Sequence, residues 1–200
     1  MAAPWGVTVV GGGNAGFCAA QSARQAGARV LVLEKAPRQW AGGNSDFTAG
    51  AMRTSHGGLA DLKNLLELTA QDCFPLTDLA PYTDDDFLDD MVKGYVGIPM
   101  PTSRGSWPAS PATMDWLRDL GLRFELMYRR QAYEVDGHHR FWGGLAVGVV
   151  GGGKGMIEQH LAAVERTGVH VRFDAPVTRL ATASDGTVHG VVLADGDAQL

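Results

Sequence analysis

The chain has 200 residues, 45% of them hydrophobic, and a formal net charge of -5, the make-up of a protein with one ordinary core rather than of a disordered chain. It carries no cluster of Lys and Arg, which excludes general nucleic-acid binding and polybasic attachment to membranes. Glycine is over-used at 27 residues, many of them paired or tripled, and this points to backbone held close to a ligand.

Met1 to Pro4 has no basic stretch and the apolar run after it stops at Gly11, so no secretory signal is expected. Val7-Thr8-Val9-Val10 is a β-branched run of the kind found in a parallel strand covered on both faces. Small residues and good helix formers from Asn14 to Ala26 predict a helix, with Gly27 as its stop. Arg29 to Glu34 reads as the next strand, and so short a crossover implies a right-handed βαβ unit. Residues 35–58 hold Pro37, Gly42-Gly43, Gly50 and Gly57-Gly58 and are expected to form an extended loop with a brief helical or strand piece, too long to be idle.

Leu62, Leu65, Leu66 and Leu68 predict a helix over Leu59 to Ala70. Thr83 before Asp84-Asp85-Asp86 is a good cap with acids in the first turn, opening a helix to about Val96. Pro99 to Ala109 is expected to be irregular, and Ser110 to cap a helix with Pro111 at its first position, running to Leu120 and stopped by Gly121. Arg129-Arg130 reads as a solvated turn. A helix from Lys154 to Arg166 and a strand Val169 to Phe173 follow, then strands Val177 to Ala183 and Thr187 to Ala194 around the hairpin signal Ser184-Asp185-Gly186. A further strand is expected after Asp195-Gly196, and the chain is expected to be a fragment. The apolar stretch Leu145 to Val150 is far short of the roughly 20 residues that cross a bilayer, so no membrane insertion is expected. Cys18 and Cys73 share no CxxC or metal-ligand spacing, so they are read as reduced core residues of a cytoplasmic protein, with no metal site.

Gly11-x-Gly13-x-x-Gly16 falls where a strand turns into a helix. There Gly11 makes the turn, Gly13 lets backbone approach a pyrophosphate, and Gly16 lets the helix pack on the strand. The helix start then offers free N–H groups and a positive dipole end to the phosphates. Glu34 ends the second strand near the ~20-residue offset of a carboxylate that binds ribose hydroxyls, and it disfavours the 2′-phosphate of NADP. The glycine turn by itself leaves open an oxidoreductase that uses NAD. Gly148-x-x-x-x-Gly153-Lys154 imitates a phosphate-binding P-loop, but Gly155 stands where Ser or Thr would ligate Mg²⁺. Gly151 to Gly155 is read instead as the approach to a helix packed near the first βαβ unit.

Val9 to Ala20, Leu33-Glu34-Lys35, Gly42-Gly43-Asn44-Ser45 and Thr48-Ala49-Gly50-Ala51-Met52 resemble the FAD-binding domain of the fumarate reductase and succinate dehydrogenase flavoprotein family. Trp116, Gly121, Gly151 to Leu161, Gly168-Val169, Val177 and Gly190-Val191 keep that family's order. Trp40 and Phe141-Trp142-Gly143-Gly144 resemble its tricarballylate dehydrogenase branch. The implied fold is α/β, a Rossmann-like FAD-binding domain of the glutathione-reductase type. Residues 1–200 would be a partial copy of that domain, truncated at its C-terminal side, with a mostly helical and irregular insertion at about 59–140. The implied cofactor contacts are Gly11, Gly13, Asn14, Ala15, Gly16, Glu34 and Lys35, then Gly42, Gly43, Asn44 and Ser45 toward the pyrophosphate and ribityl chain. Thr48, Ala49 and Gly50 would meet the isoalloxazine ring, and the Val177 backbone the adenine.

Relatives with covalent FAD carry a His near the Ser45 position, so dissociable FAD is implied here. The implied activity is a dehydrogenase or reductase passing a hydride between flavin and a carbon beside a carboxylate or carbonyl. Its substrate would be a small carboxylate and its partner an electron-transfer protein. A 3-ketosteroid dehydrogenase-like enzyme and a catalytically incomplete FAD-binding fragment are the alternatives. The family's catalytic Arg and His are expected beyond Leu200, so no catalytic residue is assigned. His138, His139 and Arg140 are read either as contacts to an anionic substrate or as a polar strand end.

Overall fold

In a computed structural model, residues 4–67, 73–94, 110–196 and 198–199 are described. In chain order they form β1 (Val7–Val10), α1 (Asn14–Gln25), β2 (Val30–Leu33), β3 (Ala51–Met52), α2 (Leu59–Leu62), β4 (Thr77–Asp78), α3 (Asp84–Gly94) and α4 (Ser110–Asp119). Then come β5 (Phe124–Leu126), α5 (Tyr128–Gln131), β6 (Ala132–Val135), β7 (His138–Phe141), β8 (Val147–Val149), α6 (Gly152–Thr167), β9 (His170–Arg172), β10 (Val177–Thr182), β11 (Val188–Leu193) and β12 (Ala198–Gln199). The chain divides into two units, Met1–Thr48 with Gly153–Leu200, and Ala49–Gly152.

The first unit is α/β. Its parallel sheet runs β1-β2-β9, with Val7 opposite Val30 and Leu31 opposite His170. β2 is buried at all four positions because both of its faces are covered. Val30 and Val32 join Phe17 and Ala20 of α1 and Ile157, Leu161 and Val164 of α6 in one cluster. Leu31 and Leu33 point the other way, into Ala175, Val191 and Leu193, as the two-residue period of a strand requires. Each such side chain contributes about 1.5–3 kcal/mol by leaving water. The hairpin β10–β11 is antiparallel and β12 adds to β11, so the strand expected after Asp195-Gly196 is present. Asp185 Oδ1 accepts the Thr187 N–H at 2.9 Å in the hairpin turn. The loop after β2 contains two short 3₁₀ turns, Arg38–Trp40 and Gly43–Ser45.

The second unit differs from the mostly helical and irregular insertion expected at about 59–140. It begins earlier, ends later and holds two small sheets, ordered β3-β8-β5 and β4-β7-β6. Asp136 and Gly137, both at positive φ (52° and 77°), join β6 to β7 in the manner of a type I′ hairpin turn. The helix expected over Leu59 to Ala70 lasts only to Leu62, because Leu66 bridges Phe124 and the Glu67 N–H donates to the Phe124 carbonyl at 2.9 Å. Leu68 to Ala70, Tyr95-Val96 and Pro99 to Ala109 lie outside the described residues. Thr83 and Asp86 form a reciprocal cap at the start of α3: Thr83 Oγ1 accepts the Asp86 N–H, and the Asp86 carboxylate accepts the Thr83 N–H. These bonds pull the Asp86 carboxyl below its ordinary range. Ser110 is the first residue of α4, and its hydroxyl serves the Ser55 N–H at 3.2 Å.

Candidate functional site

Between the C-terminal ends of β1 and β2 and the start of β10 lies a cavity of about 370 Å³. Its lining brings together Gly11, Gly13, Glu34, Lys35, Gly42, Gly43, Asn44, Ser45 and Val177, nine residues separated widely in the chain. Val10, Gly12, Leu33, Ala175 and Pro176 also line it and escaped the sequence reading, although all but Ala175 adjoin a residue that did not. The crevice lies at the carboxyl ends of parallel strands, where open α/β sheets bind ligands.

Backbone conformation shapes one wall. Gly11 sits at φ 99° with open space where a Cβ would stand. Gly42 sits at φ 107°, and a Cβ there would come within 2.6 Å of Ile157 Cγ1. A Cβ on Gly16 would run into the Gly11 carbonyl oxygen, so α1 lies as close to the turn as the motif requires. Asn14 and Ala15 open α1 with no acid in its first turn, leaving the dipole end unneutralised. The Asn14 N–H donates to Ser45 Oγ at 3.2 Å.

Glu34 supplies the charge. It is 5% exposed, and its carboxylate accepts the Gly12 N–H at 2.6 Å through Oε2 and the Ala36 N–H at 2.8 Å through Oε1. Each oxygen keeps a second acceptor site, so the pinned carboxylate has capacity for two further donors. Lys35 beside it is exposed and belongs to the cavity lining.

Thr48, Ala49 and Gly50 are not part of this cavity. The Thr48 carbonyl accepts the Gly153 N–H at 3.0 Å, and the Gly50 carbonyl accepts the Val149 N–H at 2.9 Å. Gly153 is pressed against the carbonyls of Ser45, Asp46 and Thr48, so the start of α6 is closed by backbone and has no room for a phosphate. That excludes a P-loop here and gives Gly151 to Gly155 the packing role that the sequence suggested. His138 and Arg140 both reach Asp78, at 3.5 and 3.3 Å, while His139 meets the Tyr128 ring edge-on. They form a polar strand end.

The described residues contain no helix long and apolar enough to cross a membrane. Residues 6–199 match the family model described as FAD dependent oxidoreductase. A probable fumarate reductase of Shewanella frigidimarina is 30% identical over 94% of this chain and 28% of its own length. The open conformation of a flavocytochrome c3 fumarate reductase superposes with a TM-score of 0.63 at 26% identity, covering 95% of this chain and 30% of that one. A 3-ketosteroid Δ1-dehydrogenase of Sterolibacterium denitrificans superposes at 0.68 with 16% identity over 98% of this chain and 45% of that one, a likeness of fold alone. The chain thus spans less than a third of the fumarate reductases it matches.

Proposed function

The chain belongs to the FAD-dependent oxidoreductase family, and from that premise we propose that it is the FAD-holding part of a fumarate reductase-type dehydrogenase or reductase. Family membership makes FAD the cofactor and removes the NAD alternative. The residues of the cavity fit that group: a buried carboxylate with two spare acceptor positions, a glycine turn in front of an unneutralised helix start, and an apolar patch at Val177. The observation that carries the assignment is Glu34, held by two backbone N–H groups on the cavity wall.

Glu34 binds the adenosine ribose, Gly11 to Ala15 face the diphosphate, and Gly42 to Ser45 guide the ribityl chain. Thr48 to Gly50 follow toward the ring. Bound FAD supplies hydride transfer to or from a carbon beside a carboxylate or carbonyl, and this chain's residues bind and orient it. The 30% identical fumarate reductase relative supports a small carboxylate substrate and an electron-transfer partner. Trp40 and Phe141 to Gly144 favour a tricarballylate-like acid. Asn44, Ser45, Asp46 and Phe47 offer no His for covalent attachment, so the FAD is dissociable. Cys18 is half-buried and Cys73 exposed, so neither is the core residue expected, but both are free thiols, which supports a cytoplasmic location.

Reconstitution of the purified chain with FAD tests this. The protein is expected to acquire a flavin absorbance band and to release all of its flavin on denaturation. A colourless protein after reconstitution overturns the proposal, and flavin that stays with the denatured chain overturns the non-covalent part.

A further inference from the structure

His160 is fully buried on α6, stacked on Phe17 with ring centroids 5.5 Å apart, and does not line the cavity. Its Nε2 lies 2.8 Å from Asn14 Oδ1, while its Nδ1 is buried without a partner among the described residues. The same Asn14 oxygen faces the Cys18 thiol at 3.7 Å. Burial lowers the His160 pKa to about 4 and raises that of Cys18 to about 11, so the ring is neutral and the thiol protonated near pH 7.

These facts decide the orientation of the Asn14 amide. A neutral imidazole has one N–H. If Nδ1 carried it, a donor would be stranded in an apolar core, which costs more than stranding an acceptor lone pair. Nε2 therefore carries the proton and donates to Asn14. The protonated Cys18 thiol, a donor too, demands an oxygen at the same place. Two donors, the buried His160 ring and the half-buried Cys18 thiol, converge on Oδ1, and the Asn14 NH2 group is turned away from both. It has no partner among the described residues. Asn14 directly follows cavity-lining Gly13, and its own N–H meets cavity-lining Ser45.

We propose that His160 is a positioning residue for the cofactor's diphosphate: with Cys18 it locks the Asn14 carboxamide so that the NH2 group becomes a side-chain donor to the anion at the start of α1. This rests on the FAD-binding reading and adds a reason for a buried polar ring in an apolar cluster. Nonpolar packing alone would be served by Leu, whereas the amide polarity requires an N–H at this spot.

The test is a titration of the full chain with FAD, and with ADP and adenosine as competitors, for wild type, His160→Gln, His160→Leu and Asn14→Asp. Losing a donor to a charged group weakens FAD and ADP binding about tenfold or more in His160→Leu, while His160→Gln, which keeps an N–H near the Nε2 position, stays within about threefold. Adenosine, which lacks the diphosphate, should not discriminate among them. Asn14→Asp keeps the inward oxygen but turns an anion outward. FAD binding should fall by more than tenfold, while the melting temperature holds or rises because an acid suits a helix start. Nitrogen NMR of His160 in the ligand-free protein should show the Nε2–H tautomer.

A wild type that binds neither FAD nor ADP sinks the FAD reading and this inference with it. A wild type that binds, with His160→Leu and Asn14→Asp binding equally well, overturns the inference alone, as does an Nδ1–H tautomer. Should His160→Leu fail to fold, Asn14→Asp and the tautomer decide.

Discussion

β2 and β7 are both four-residue strands with a neighbour on each side, yet they hold together by different means. β2, Val-Leu-Val-Leu, is buried throughout and belongs to two apolar clusters at once. β7, His-His-Arg-Phe, is buried nowhere, and His138 and Arg140 share Asp78. The contrast extends to the units that contain them. The unit of Met1–Thr48 and Gly153–Leu200 rests on continuous apolar runs. In Ala49–Gly152, Arg53 pairs with Asp90 at 2.7 Å, and Tyr82 donates to Asp90 at 3.0 Å, an interaction that holds the Asp90 carboxyl below its usual range. Hydrophobic burial tolerates little loss of volume, whereas partly exposed ion pairs contribute little each.

That difference is open to attack by mutation. Phe17→Ala, emptying a fully buried site between α1 and β2, should cost about 3–5 kcal/mol in urea unfolding. A smaller cost would mean that the first unit is not the tightly packed one. Glu34→Ala acts on the site instead. Removing its charge-assisted bonds should weaken FAD by about 1.5–3 kcal/mol in a fluorescence titration, and unchanged affinity would remove Glu34 from the site.

Acid probes the buried histidine. The folded pKa of His160 lies at about 4, below its ordinary 6.5. Between those values the unfolded chain binds the proton that the folded chain refuses. Stability is therefore complete above pH 6.5 and declines as pH falls toward 4, at no more than about 1.4 kcal/mol per pH unit for one group. His56, also lowered by burial against the opposing pull of Asp61, adds in the same direction. Urea midpoints measured across that window should fall less steeply in His160→Leu than in wild type.

Tyr82→Phe removes the phenol that Arg53 and Asp90 share, with an expected loss of about 1 kcal/mol read as faster hydrogen exchange in α3. At the bottom of the scale, Arg38→Ala breaks an ion pair with Glu165 whose partners are 58% and 60% exposed. Its effect on the melting midpoint should be near zero, and a large one would show that surface charge, not burial, holds the first unit.

The first unit was legible because its signals are local and strong. Val7 to Val10, Gly11 to Gly16 and Leu31 to Leu33 announce a βαβ turn through apolar runs and glycines at fixed offsets, and Glu34 falls where the turn needs a carboxylate. The second unit was not. Strands of two to four residues carry too little periodicity to read, and the polar ones resemble loops. Even so, Asp136-Gly137 was a hairpin signal standing in plain view. Leucine spacing misled at Leu62 to Leu66, where Leu66 leaves the helix to bridge Phe124.

Residue types and offsets by themselves determined that this chain has a parallel α/β core with a glycine turn and an acid at the end of its second strand, because strand and helix periods and glycine sterics act over a few residues. Only the tertiary structure decided that Ala175 and Pro176 close the same cavity as Gly42 to Ser45, that the start of α6 is sealed by carbonyls, and that His160 faces Asn14 across the core. Those contacts join residues up to 146 positions apart, and the packing that selects them is a property of the assembled layers rather than of any local stretch of chain.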